Sequence, residues 1–236
     1  MEQKKDILGR ALRDHFNKEN ESGLYVLSEG FDEDEMDLAY YFRSYDEMPV
    51  IEQLALEACK GKCLEIGGGV GSHALYLKEK GLEVELVDNS DGCCEIMRAR
   101  GLGSVHCMDY KDVDLQGFDT VYALMNGIGL AGSIEGLEAY LKKIFTFLKD
   151  GGQFIVDSSD LIYLYLNEDG SADIDLNADY YGEMKFRYKY KDELSEEFNW
   201  LYADEELLRE YCNALGLQME VLYREDYHFL ARITRS

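Results

Sequence analysis

Positive charge, proline and long apolar runs are all scarce in this sequence. Against 48 Asp and Glu stand only 24 Lys and Arg, a formal charge of -24 over 236 residues. A field of that sign repels phosphate backbones. It argues against a nucleic-acid partner and favours a neutral or cationic small molecule. No run of about 18 apolar residues occurs, so no membrane span is expected. The polar start Met1-Glu2-Gln3-Lys4-Lys5-Asp6 has no apolar core of the signal-peptide kind. The six cysteines, Cys59, Cys63, Cys93, Cys94, Cys107 and Cys212, contain no CxxC pair. Zinc-type ligand spacing is absent and no metal is expected; the thiols read as reduced core residues of a cytoplasmic protein. With no internal repeat and no Gly/Ser linker, one domain is expected, as a monomer or a homodimer.

The single proline, Pro49, suits the first turn of a helix presenting Val50, Ile51, Leu54 and Ala58 on one face. Ahead of it, Ile7, Leu8, Ala11, Leu12, His15 and Phe16 share a helical face within residues 3–19, and the acidic stretch 28–37 reads as a loop leading into a second short helix. Beyond Gly61 the pattern alternates. Strands are predicted at 63–66, 83–88, 104–108, 118–124 and 153–157. Helices are predicted near 71–80, near 91–100 with Ser90 as its cap, and at 133–148, ending at Gly151-Gly152. The helix at 133–148 presents Ile134, Leu137, Leu141, Ile144, Phe145 and Leu148 together. Strand–helix–strand repetition implies a doubly wound, mostly parallel α/β sheet. Residues 158–182 look irregular. Runs 183–190 and 197–202 alternate around Lys191-Asp192-Glu193 as a β-hairpin. A helix at 204–215 ends at Gly216, and strands 217–224 and 228–234 are joined so tightly that they must pair antiparallel. Residues 1–60 read as an N-terminal helical extension, and 61–236 as the α/β domain with an inserted hairpin near 183–202.

The chemistry gathers at Leu64-Glu65-Ile66-Gly67-Gly68-Gly69-Val70-Gly71, followed by Asp88 closing the next strand. Glycines let a backbone approach a ligand and take positive φ, and an acid at the following strand end suits two ribose hydroxyls. Two registers are open on the residues alone. Gly69-Val70-Gly71-Ser72-His73-Ala74 fits GxGxxA, a dinucleotide turn of an NAD(P)-dependent oxidoreductase; against its commonest short-chain version, Tyr140 has Ile144 rather than Lys four residues on. Glu65 to Gly71 fits ExGxGxG, and here the chain resembles motif I of the class I, Rossmann-like S-adenosylmethionine-dependent methyltransferases. Glu65 decides between them: a carboxylate is misplaced beside a pyrophosphate but suits the cofactor's ammonium group. Asp109-Tyr110 after the third strand and the terminal antiparallel pair strengthen the resemblance, which spans roughly residues 61–234.

The resemblance implies S-adenosylmethionine as cofactor. It implies Gly67, Gly68, Gly69 and Gly71 under the methionine moiety with Glu65 toward its ammonium group, Asp88 at the ribose with Asn89 beside it, Asp109 and Tyr110 at the adenine, and Leu124 and Met125 near the methionine. Asn126 is not followed by prolines, which departs from the pattern of amino-directed DNA methyltransferases, and a small-molecule O- or N-acceptor is the expectation. Tyr41, Arg43 and Tyr45 precede the core and are candidates for the acceptor site, with Arg43 able to pair a carboxylate; Asn126 and Asp157 are candidates at strand ends. Methyl transfer needs a base only for a protonated acceptor, and no catalytic residue is named by the sequence. His73 stands beside the glycine turn as a half-buried or cofactor-facing residue, whereas His15, His106 and His228 read as structural. The aromatics Tyr181, Phe186, Tyr188, Tyr190, Phe198 and Trp200 suggest a roof for the acceptor or a dimer surface. A non-catalytic binding protein of the same fold is a third reading.

Overall fold

A computed structural model describes residues 5–19, 22–167, 169, 171–172 and 179–236; parts of the irregular stretch at 158–182 and of the N-terminus lie outside them. Asp6 opens helix α1 (Ile7–Phe16) by accepting from Gly9 N, and Ile7, Ala11 and Leu12 are buried on it. Strands β1 (Leu24–Ser28) and β2 (Asp34–Met36) follow, then 3₁₀ turns at Leu38–Phe42 and Tyr45–Glu47. Next come α2 (Val50–Ala58), β3 (Lys62–Ile66), α3 (Ser72–Glu79), β4 (Glu83–Asp88), α4 (Asp91–Ala99), β5 (Val105–Cys107) and β6 (Phe118–Ala123). A 3₁₀ turn at Gly127–Ala131 leads to α5 (Ile134–Phe147) and β7 (Leu148–Ser159). The chain ends with β8 (Glu183–Tyr190), β9 (Glu193–Leu194), β10 (Phe198–Leu201), α6 (Glu205–Ala214), β11 (Leu217–Glu225) and β12 (His228–Arg235). The class is α/β: parallel strands alternate with helices, and an antiparallel strand closes the chain.

Contacts divide the chain into two compact units, and neither is a continuous stretch. The first holds residues 1–49, 61–114 and 185–198; the second holds 50–60, 115–184 and 199–236.

In the first unit β3, β4 and β5 are parallel neighbours, with Glu65 opposite Leu86 and Asp88 opposite Cys107. A separate antiparallel group sets β1 between β2 and β8, pairing Leu24 with both Met36 and Tyr190. The N-terminal segment is therefore not purely helical. The acidic stretch forms β2, and β1 is a strand because β8 arrives from the far end of the sequence to satisfy its backbone, a pairing with no local signature. Helix α1 lies on α4 where two glycines meet: a Cβ on Gly92 would overlap the backbone of Gly9. Tyr190, read as part of an aromatic roof, is instead wholly buried with Ile7, Leu12, Leu24 and Ile96, its hydroxyl donating to Asp14 at 3.0 Å.

In the second unit β6 and β7 are parallel, with Tyr122 opposite Ile155, while β12 lies antiparallel to both β7 and β11. Helix α2 packs on β7, β11 and β12. Its buried face is Ile51, Ala55 and Leu56, rotated from the predicted one, and Val50 is 50% exposed. Gly151-Gly152 do not cap α5; the helix ends at Phe147 and both glycines lie within β7. Burial of Phe147 and Leu148 draws the chain straight into the strand, and a Cβ on Gly152 would press to 3.0 Å from Phe118 O.

Candidate active site

Strand β3 delivers Glu65 and Ile66 to a turn that leads at once into α3. Gly67 N and Gly68 N donate to Val87 O at 2.8 and 3.3 Å, so the turn folds back over the end of β4. Gly67, Gly69 and Gly71 have φ of 76°, 53° and 79°, a region open to glycine and costly for most other residues. Their surroundings differ. A Cβ on Gly69 would meet nothing within 4 Å, whereas one on Gly71 would strike Leu102. Gly68 is small for packing, since its Cβ would press Leu86 and Met97 at 3.0 and 3.1 Å. Gly67 is exposed and Gly69 half-buried with open space beside it, so the open surface of the turn belongs to these two.

Asp88, at the end of β4, closes this turn. Its Oδ2 accepts from Gly69 N and its Oδ1 from Ser90 N, both at 2.8 Å. Burial is the largest influence on its acidity, outweighing these two hydrogen bonds; with help from the charges of Asp6 and Glu65 it pushes the pKa up to about 6. Asn89 is exposed beside it. Met108 N donates to Asp88 O at 2.9 Å, which brings Asp109 and Tyr110 next to the same strand end. Asp109 Oδ1 accepts from Lys111 N at 2.9 Å and shapes that turn. Tyr110 is buried beneath Lys111, whose Nζ lies 5.5 Å from the ring centre, and burial pushes its hydroxyl up to about 12.

Glu65 is only 2% exposed. One oxygen, Oε1, meets His73 Nδ1 at 2.9 Å. The other, Oε2, is buried with no hydrogen-bond partner. Native proteins rarely leave such an atom unpaired, and a carboxylate oxygen seeks a donor or a cation. The ammonium of S-adenosylmethionine has that chemistry, so the residues present fit the cofactor: Glu65 for the ammonium, the glycine turn for close approach, and Asp88 for hydroxyls. The 3₁₀ segments lie against the same turn. Ser72 Oγ donates to Tyr41 O at 2.6 Å, and Tyr45 stacks on Tyr76 of α3 at 3.9 Å and 5°. Arg43 is buried, with its guanidinium 3.6 Å over the Tyr40 ring.

In the second unit β6 ends at Ala123, and Leu124, Met125 and Asn126 are half-buried. Met125 and Asn126 have φ of 65° and 58°, consecutive left-handed non-glycine residues of a kind that cost on the order of 1–3 kcal/mol each and collect at functional sites. Asp157, 1% exposed on β7, holds this loop. It accepts from Asn126 N at 3.0 Å and Gly127 N at 3.1 Å. Its Oδ2 also meets His228 Nε2 at 2.8 Å. Ser159 Oγ donates to Asn126 Oδ1 at 2.7 Å. Asp157 thus touches no open space, and the group it presents is His228, 32% exposed, which periodicity in the last strand marked as merely structural. His228 sits opposite Ser159 across β12 and β7, a register invisible before the sheet is known. His106 likewise pairs Glu85 at 2.8 Å. Of the aromatics, Tyr181 donates to Asp160 at 2.8 Å, and Trp200 covers Gly129, where a Cβ would collide with its ring. Among the described residues no cluster of His, Cys, Asp or Glu could hold a metal ion, all six cysteines are free thiols, and no helix is long and apolar enough to cross a membrane.

Comparison with known proteins agrees with this geometry. A family model described as a methyltransferase domain matches residues 39–220. A Staphylococcus carnosus (strain TM300) protein described as an uncharacterized methyltransferase is 28% identical over 195 residues, covering 82% of this chain and 86% of that protein. The crystal structure of an S-adenosylmethionine-dependent methyltransferase from Bacteroides fragilis, in complex with S-adenosylhomocysteine, superposes with a TM-score of 0.91 at 37% identity, covering 98% of this chain and 95% of that one. The sugar N-methyltransferase KedS8 from Streptoalloteichus shares the fold, with a TM-score of 0.60 at 16% identity over 89% of this chain and 96% of that one. The chain belongs to the class I methyltransferase family and is an S-adenosylmethionine-dependent enzyme. The family is thus the one that the ExGxGxG reading of Glu65 to Gly71 implied, and not the NAD(P)-dependent oxidoreductases of the dinucleotide reading.

Proposed function

We propose that the enzyme methylates an oxygen or nitrogen of a small neutral or cationic molecule, held at the carboxyl ends of β6 and β7. The observation that carries this is the pair Asp157–His228 beside the strained Met125–Asn126 turn. Open α/β sheets bind ligands at that end of their strands. When bound, S-adenosylmethionine supplies an activated methyl group on a positively charged sulfur. The chain's part is to align the acceptor, exclude water and take up one proton. An ionised carboxylate only accepts hydrogen bonds, so Asp157 keeps the His228 proton on Nε2 and turns the lone pair of Nδ1 outward. That nitrogen would take the proton that the acceptor atom loses, leaving the acceptor's own lone pair for the methyl group that the bound cofactor would supply. Support for a small acceptor comes from the charge of -24, which disfavours polyanions, and from the fold shared with a sugar N-methyltransferase.

The test is incubation with methyl-labelled S-adenosylmethionine and a fractionated cell extract, followed by identification of the labelled product. Label in a small neutral or basic metabolite is expected. His228→Ala should lower the transfer rate by about 100-fold, the scale of a lost general base, with cofactor affinity unchanged. Label recovered in nucleic acid or protein would overturn the acceptor class.

A further inference from the structure

We propose that His73 is a positioning residue for the cofactor: it holds one oxygen of Glu65 so that the other receives the α-ammonium of the methionine moiety. The proposal rests on Glu65–Gly71 being the cofactor cradle and is independent of the acceptor reading. Three observations carry it. The backbone of Glu65 is fixed by parallel pairing opposite Leu86, which leaves only its side-chain torsions to decide where the carboxylate points. His73, 8% exposed in the first turn of α3, takes Oε1 at 2.9 Å. Oε2 remains buried without a partner, an arrangement that a pair built only for stability would not retain. An imidazole donating from Nδ1 fixes one oxygen of the carboxylate and leaves the other for one cation. The turn that supplies the cradle also supplies the helix that seats His73, which ties the aim of Glu65 to the fold of Gly67 to Gly71.

Calorimetric titration tests this with two probes. S-adenosylhomocysteine carries the amino-acid group; 5′-methylthioadenosine shares the adenosine and thioether but lacks it. His73→Ala is expected to weaken S-adenosylhomocysteine about tenfold, roughly 1.4 kcal/mol, and to leave 5′-methylthioadenosine unchanged. His73→Asn, which places an N–H donor where Nδ1 lies, is expected to restore most of the loss and keeps the test valid if the Ala cavity unfolds the chain. Glu65→Gln should show the same selectivity as His73→Ala. Equal losses for both probes, no loss for either, or an Asn variant no better than Ala would each overturn the proposal. Wild-type protein that binds neither probe would overturn the cradle assignment itself.

Discussion

At the scale of single residues, Asp88 serves two ends that pull apart. Its two oxygens hold the glycine turn through Gly69 N and the first turn of α4 through Ser90 N. Burial meanwhile raises its folded-state pKa from 3.8 to about 6. An acid whose pKa is raised on folding binds more protons folded than unfolded between those values. This group's contribution to stability therefore falls as pH rises through that window. With Asp88 as the proposed partner of the cofactor's ribose, ligand binding has the opposite sign, because hydroxyls donate to the carboxylate and not to the acid. S-adenosylhomocysteine affinity should rise with pH through about 6. It should be about tenfold weaker at pH 5 than on the plateau, as titration at pH 5 and pH 7.5 would measure, and Asp88→Asn should flatten the profile. The acid at this position was visible in the sequence from its place after an apolar run. Its acidity was not, since desolvation depends on what the fold stacks above it.

At the scale of elements, Asp6 joins two helices with one side chain. Its Oδ1 accepts from Gly9 N at 3.0 Å and caps α1. Its Oδ2 accepts from Ser90 Oγ at 2.8 Å and Gly92 N at 2.9 Å, at the start of α4. An acidic group suits both positive helix ends. Asp6→Ala removes a cap and leaves partly buried donors unmatched, which should cost about 2–3 kcal/mol, read as a lower urea midpoint with unchanged slope. Because Ser90 also donates to Asp88, the same variant should loosen the cofactor end of β4. Helix and strand limits near the glycine turn were legible: β4 spans the predicted 83–88, and Ser90 caps α4 by accepting from Cys93 N. The partners of α1 were not legible, because close approach of Gly9 and Gly92 has no periodicity to reveal it.

At the scale of the whole molecule, the charge of -24 opposes compaction through self-repulsion. Exposed ion pairs such as Lys189–Glu33 at 2.9 Å and Lys191–Asp14 at 2.8 Å offset little of it, as surface pairs usually contribute under about 1 kcal/mol. Screening should therefore stabilise the protein. Raising KCl from about 0.05 to 0.5 M, which shortens the screening length several-fold, should lift Tm by about 2–4 °C, as about 1 kcal/mol would in a chain of this size. A flat or falling Tm in differential scanning calorimetry would show that local pairs dominate the net field.

What the amino-acid order determined by itself is the set of properties carried by a few consecutive residues: apolar period, helix caps, the positive-φ glycines of the turn, and the carboxylates at strand ends. Glu65 and Asp88 could be put forward for the cofactor this way because strand, turn and strand lie within one short stretch of chain. Tertiary structure alone decided how the chemistry is shared out. It set His73 on one oxygen of Glu65 and left the other without a hydrogen-bond partner, tied Asp157 to His228, and brought β8 to β1. Each of these depends on side chains meeting across strand register or helix packing, and register is a property of the folded sheet, not of any local pattern.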